Sequence, residues 1–109
     1  MIIDSWLVRL SRNYALLRRA VDSAGTALAK QPYETFLQPG ADLAFAEFVD
    51  GVEVHFTADI YRVDTDGTMW VAVDATAQVG TPLRIRPVYV FKKLPDGTAF
   101  RLRSYAKLS

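Results

Sequence analysis

Apolar positions along this chain repeat at two periods, and the change of period divides it. From Leu7 they fall at Leu7, Leu10, Tyr14, Leu17, Val21, Ala24 and Leu28. These alternating steps of three and four place all seven on one stripe of a helix. The pattern predicts a helix over about 5–30. Asp4 or Ser5 is suited to cap its start by accepting an orphan backbone N–H. Gln31-Pro32 stops it, because proline disfavours helical geometry in the residue before it. Gly25 costs about 1 kcal/mol relative to alanine inside a helix and offers an earlier end. The spacing also matches a coiled-coil seam. With only three heptads and with Tyr14 and Ala24 in the seam, packing on a sheet is the better fit.

From residue 42 onward the period is two. Phe48-Val49-Asp50-Gly51-Val52-Glu53 carries a two-residue hairpin signal, since Asp-Gly tolerates the positive φ angles of a type I′ turn. That loop sets Val49 opposite Val52, Glu47 opposite Val54, Phe45 opposite Phe56 and Leu43 opposite Ala58. All but Glu47 are apolar, so turn chemistry and hydrophobic pattern agree on the register. Two later stretches, YRVDTDGTMWVAV and FKKLPDGTAFRLR, share Asp-Gly-Thr after an aromatic and a basic residue. Both read as hairpins with loops of two to four residues.

Strands are therefore expected near 42–49, 52–63, 68–77, 83–94 and 98–106, joined as an antiparallel meander. Pro87 removes a ladder donor from the fourth strand, which calls for a bulge or bend. The loop 78–82 is short. The crossover 31–41 is irregular, with one helical turn at 33–37. The expected fold is a single α+β domain over 1–109: one long N-terminal helix packed across a curved five-stranded antiparallel sheet spanning 42–106.

This element order resembles that of cystatin-like folds and, more loosely, the cone-shaped sheets of the NTF2-like group. The likeness covers the order of elements across most of the chain. The nearest counterpart of the cystatin inhibitory loop Q-x-V-x-G is Gln78-Val79-Gly80, which lacks the spacing. No protease-inhibitor function and no residue roles carry over. NTF2-like enzymes keep a pocket between helices and sheet, and this chain has too few helices to line one. Fold likeness would not settle function in any case.

Alternation assigns both sheet faces. The helix side should hold Leu43, Phe45, Val49, Val52, Val54, Phe56, Ala58, Ile60, Val71, Val73, Ala75, Leu83, Ile85, Tyr89, Phe91, Phe100 and Leu102. The other face should carry Phe48, Glu53, His55, Thr57, Asp59, Tyr61, Val63, Trp70, Asp74, Thr76, Arg84, Arg86, Val88, Val90, Lys92, Arg101, Arg103 and Tyr105. With one helix available nothing covers that second face. Its aromatics and valines would leave a sizeable apolar area exposed, which usually marks a partner site.

Composition narrows the options. The chain has 109 residues, half of them hydrophobic, with a net charge of +1 and no cysteine. That is one ordinary globular domain, without a disulfide scaffold, a thiolate metal site or a cysteine nucleophile. The charge is segregated. Residues 1–30 carry five bases against two acids, 31–82 nine acids against Arg62, and 83–109 seven bases against Asp96. Such asymmetry can mark a nucleic-acid or membrane surface, or simply an acidic strand beside a basic one. Asp4 and Arg9 interrupt what would be a signal-peptide core, and no run of about 18 apolar residues occurs. A soluble, cytoplasmic protein is expected.

Chemistry is sparse. His55 is the lone histidine, so no Ser–His–Asp set can use another base. His55, Thr57, Asp59 and Asp74 share a face by parity. If Asp66-Gly67 were a two-residue loop, Asp59 and Asp74 would stand directly opposite and repel; a four-residue loop would set them diagonally. His55 and Asp59 lie about 13 Å apart along one strand, too far to share an ion. No metal site and no cofactor are implied, since neither a Walker-type loop nor GxGxxG occurs. Nucleic acid is not expected, because parity puts Phe91 and Phe100 opposite the Arg and Lys side chains that a base-stacking sheet needs beside them.

The expectation is a non-enzymatic association module, a homodimer or a complex with another protein, formed through the helix-free face. Its interface residues are Phe48, His55, Asp59, Tyr61, Trp70, Asp74, Arg84, Arg86, Arg101, Arg103 and Tyr105. Stacking an acidic half on a basic half through a two-fold axis would be self-complementary. The alternative is a small-molecule binder or small enzyme with a pocket between helix and sheet, using Asp59, Asp74 or Glu47.

Overall fold

The computed structural model describes residues 2–37, 43–77, 85–102 and 105–108; of 2–13, 77, 85–86 and 105–108 it describes the backbone. Helix α1 spans Ile2–Ala29, about 42 Å at 1.5 Å per residue. It begins before Asp4 and Ser5, so neither caps it, and it continues through Gly25. The last turn tightens through Lys30 N–H to Ala27 O (3.3 Å) and Gln31 N–H to Leu28 O (3.0 Å). The helical turn expected in the crossover is a 3-10 turn, Tyr33–Phe36.

The strands are β1 (Ala44–Val49), β2 (Val52–Val63), β3 (Met69–Ala77), β4 (Ile85–Lys93), β5 (Ala99–Arg101) and β6 (Tyr105–Leu108). They form one antiparallel sheet in the order β1-β2-β3-β4-β5, with β6 also on β4. The expected fifth strand, 98–106, is thus divided into β5 and β6 along the same edge of β4. Their registers differ by one residue: Phe91 faces Arg101, whereas Val88 faces Tyr105. Pairing of β4 with β3 stops at Val88, next to Pro87, which itself faces Ala106. The irregularity that a missing proline donor requires takes this form.

The first hairpin has the expected register from Val49↔Val52 to Phe45↔Phe56, and Ala58 N–H bonds Leu43 O at 2.9 Å. Asp50 (φ 51°) and Gly51 (φ 78°) are both left-handed, as a type I′ turn demands. The two Asp-Gly-Thr turns share one geometry. Asp64 N–H bonds Thr68 O, Gly67 N–H bonds Asp64 O, and Asp66 Oδ1 accepts from Thr68 N–H. Leu94, Gly97, Thr98 and Asp96 repeat this set. Both are three-residue loops ending on a positive-φ glycine, Gly67 at 91° and Gly97 at 93°, a type I turn with a bulged glycine.

Loop length decides which face each strand shows. The third residue in the 95–97 loop shifts β5 by one position against a two-residue turn, and a one-residue slip reverses every side chain. Phe100 therefore faces Lys92 on the helix-free side, and Arg101 faces Phe91 on the helix side. Leu102 N–H bonds Val90 O (2.7 Å), which puts it in register with Val90. The expected faces of Phe100, Leu102 and Arg101 are all reversed. The β2–β3 pair gains a residue in its loop too, but it also has a bulge between Ile60 and Arg62. The two shifts preserve parity, so Val71, Val73 and Ala75 point where expected and are buried. Beyond the bulge parity reverses, and Val63 faces Met69 rather than lying on the helix-free side.

Helix α1 rests mainly on β4 and then β3. Leu17, Ala20, Val21 and Ala24 meet Val54, Phe56, Met69, Val71, Val73, Tyr89 and Phe91 in one core. Phe36 packs edge-on to Phe91, with ring centroids 6.0 Å apart. Each large side chain buried there contributes about 1.5–3 kcal/mol. At Gly25 the helix backbone lies against the Tyr89 ring, where a Cβ would overlap the ring atoms. Arg101 covers the same ring from outside, 4.8 Å from its centroid. Its guanidinium also reaches Asp22 of the helix at 3.4 Å, which Arg18 holds at 2.6 Å.

Candidate functional site: the helix-free sheet face

Cross-strand register arranges this face in rows. At the β1–β2 turn, Phe48 stands opposite Glu53 and Ala46 opposite His55. Glu53 Oε1 lies 3.3 Å from His55 Nε2. The middle rows run Thr57–Asp74–Val88 and Asp59–Ala72–Val90, and the far row runs Arg62–Trp70–Lys92–Phe100. Asp59 and Asp74 are therefore diagonal rather than opposite, because the three-residue loop and the bulge together displace β3 by two positions. Among the described residues no group of three His, Asp or Glu side chains could hold a metal ion.

The far row is tied together by its own chemistry. Trp70 Nε1–H donates to Asp64 Oδ2 at 3.0 Å, and Arg62 Nε–H donates to Asp64 Oδ1 at 2.7 Å. The Arg62 guanidinium and the Lys92 ammonium lie 4.9 Å and 4.8 Å from the Trp70 ring centroid, a range in which the ring quadrupole attracts cations. The Trp70 hydrogen bond, followed by Arg62, holds the Asp64 carboxyl below its ordinary value. Arg62 and Asp64 escape sequence reasoning about this face because the bulge that turns Arg62 toward Trp70 has no signature in the alternation.

Phe48 is 76% exposed, Tyr61 53% and Phe100 50%. His55 and Asp59 are exposed on this face, while Trp70 and Asp74 are half-buried. Arg101 leaves the expected set, since it belongs to the helix side. Arg84 and Arg103 lie outside the described residues. Arg86 faces Lys107 and Tyr105 faces Val88 by register. Val88 and Val90, expected to be exposed, are only 1% and 5% accessible. Strand β4 is central, with β3 on one flank and β5 and β6 on the other. Phe48 stands on edge strand β1, with a neighbour on one side only. The apolar exposure is thus concentrated at the two ends of the face.

Asp59 and Asp74 point away from α1, and the space beneath the helix is filled by the apolar core. Glu47 faces Val54 at the edge strand and is exposed. The geometry does not gather these three carboxylates around a space between helix and sheet.

Fold and site together define an α+β domain: one long helix closes one side of an antiparallel sheet, and the other side ends in exposed aromatics among charges. Comparison with protein-family models, with curated proteins and with solved structures finds no match. No helix among the described residues is long and apolar enough to cross a membrane.

Proposed function

We propose that this chain is a non-enzymatic protein-association module that acts through the helix-free face of its sheet, with a second copy of itself as partner. The observation that carries the reading is the exposure of Phe48 and Phe100 on the face opposite α1, with Tyr61 exposed at the bulge between Ile60 and Arg62. Aromatic side chains open to water on one face are the usual material of binding hot spots. Charge supports self-recognition: Glu53 and Asp59 sit toward one part of the face and Lys92 toward another.

Multi-angle light scattering over a micromolar concentration series tests it. The expected result is a mass approaching twice that of the chain as concentration rises. A single-chain mass throughout the series would overturn the reading.

A further inference from the structure

We infer that two copies associate with the β1–β2 hairpin of each seated on the Trp70–Phe100 end of the other, about a two-fold axis lying in the plane of the face. This step rests on the self-association proposed above and specifies which surfaces meet. The exposed apolar groups stand at opposite ends of one face. Phe48 projects at the first end beside Glu53, which stands opposite it in register. Phe100 projects at the other, beside Lys92 in the row that continues to Trp70. Between them Val88 and Val90 are buried.

The two ends complement one another. The first presents a phenyl ring and a carboxylate. The second presents two aromatic rings with an ammonium between them, and that ammonium rests on the Trp70 ring. A phenyl group laid on top of the row, over the Lys92 side chain and against Phe100, brings its neighbouring Glu53 to the Lys92 ammonium, a pairing absent within one chain among the described residues. Spacing allows both contacts at once. From the Glu53 row to the Arg62 row is about 30 Å along the strand, and from β1 to β4, where Lys92 stands between Trp70 and Phe100, about 14 Å across it. A two-fold axis exchanging those two points crosses the strands of the stacked sheets at about 50°, between the aligned and orthogonal ways in which sheets pack. Each contact then occurs twice, as a two-fold interface requires.

Phe48→Ala and Phe100→Ala test this, because both side chains are exposed and neither belongs to the core; circular dichroism and a thermal melt verify that each variant is folded. By sedimentation velocity, each variant alone should lose both symmetric contacts and weaken dimerisation at least tenfold. An equimolar mixture should recover part of that loss, because the intact hairpin of Phe100→Ala meets the intact far end of Phe48→Ala. If the wild type is dimeric and either variant dimerises as well as it does, or the mixture gains nothing over the separate variants, this arrangement is wrong while self-association stands. A wild type that stays monomeric removes the underlying reading, and this inference with it.

Discussion

Gly25 shows how a residue's intrinsic preference can point the wrong way. By helix propensity alone, Gly25→Ala should stabilise α1 by about 1 kcal/mol. The Tyr89 ring occupies the place its Cβ would take, and forcing an extra carbon into a filled contact costs about 1–3 kcal/mol. Gly25→Ala should therefore lower the urea midpoint, and the loss should vanish when Tyr89 is also replaced by alanine, in a double-mutant cycle. Lys93 is the second such residue. It is 1% accessible, and its Nζ donates to Ala29 O at the helix end and to Gly97 O in the β4–β5 turn, each at 2.8 Å. Positive charge at a helix C-terminus is favourable, because the last carbonyls have no partner within the helix. Lys93→Met keeps the length but leaves both carbonyls unpaired. Chemical denaturation should show a loss of about 1–3 kcal/mol.

At the scale of elements, the two Asp-Gly-Thr turns are the most revealing. Their recurrence is plain in the sequence, and the structure gives them matching hydrogen bonds, yet their consequences differ. One extra loop residue reverses β5, whereas in the β2–β3 pair the bulge after Ile60 restores parity. The turns also carry a pH dependence. Thr68 N–H holds the Asp66 carboxyl below its ordinary value, and Thr98 N–H does the same for Asp96, each threonine side chain adding to it. Asp64 is lowered by Trp70. A depressed carboxylate contributes stability that is fully present above the unfolded value, about 3.9 for aspartate, and is lost as pH falls through the lower folded value. The urea midpoint should fall between about pH 5 and pH 2, and the Asp66→Asn, Asp96→Asn double variant should show a shallower fall, since asparagine keeps the acceptor without titrating. Equal slopes for the two proteins would remove the turns as its source.

For the whole molecule, linkage between folding and association gives a further test. If the native chain dimerises, its thermal midpoint rises with protein concentration; calorimetry across a concentration series should show this rise for the wild type and a flatter dependence for Phe48→Ala. A long helix, a meander of strands, the register of the first hairpin and the faces of β1, of β2 up to its bulge and of β3 were legible from residue order, because periodicity and Asp-Gly turns act within a few residues of chain. The placement of Phe48, His55, Asp59, Trp70 and Asp74 on the face opposite α1 was legible on the same basis. What the sequence by itself determined, then, is which residues alternate and where the chain turns. Only the tertiary structure decided that Arg101 joins the helix side while Phe100 leaves it, that Val88 and Val90 lie covered on a central strand, and that Gly25 receives a tyrosine ring. The physical reason is that alternation runs within a strand, whereas the phase between strands depends on single residues added in loops and bulges. Those insertions leave the local hydrophobic pattern unchanged and reverse everything that follows them.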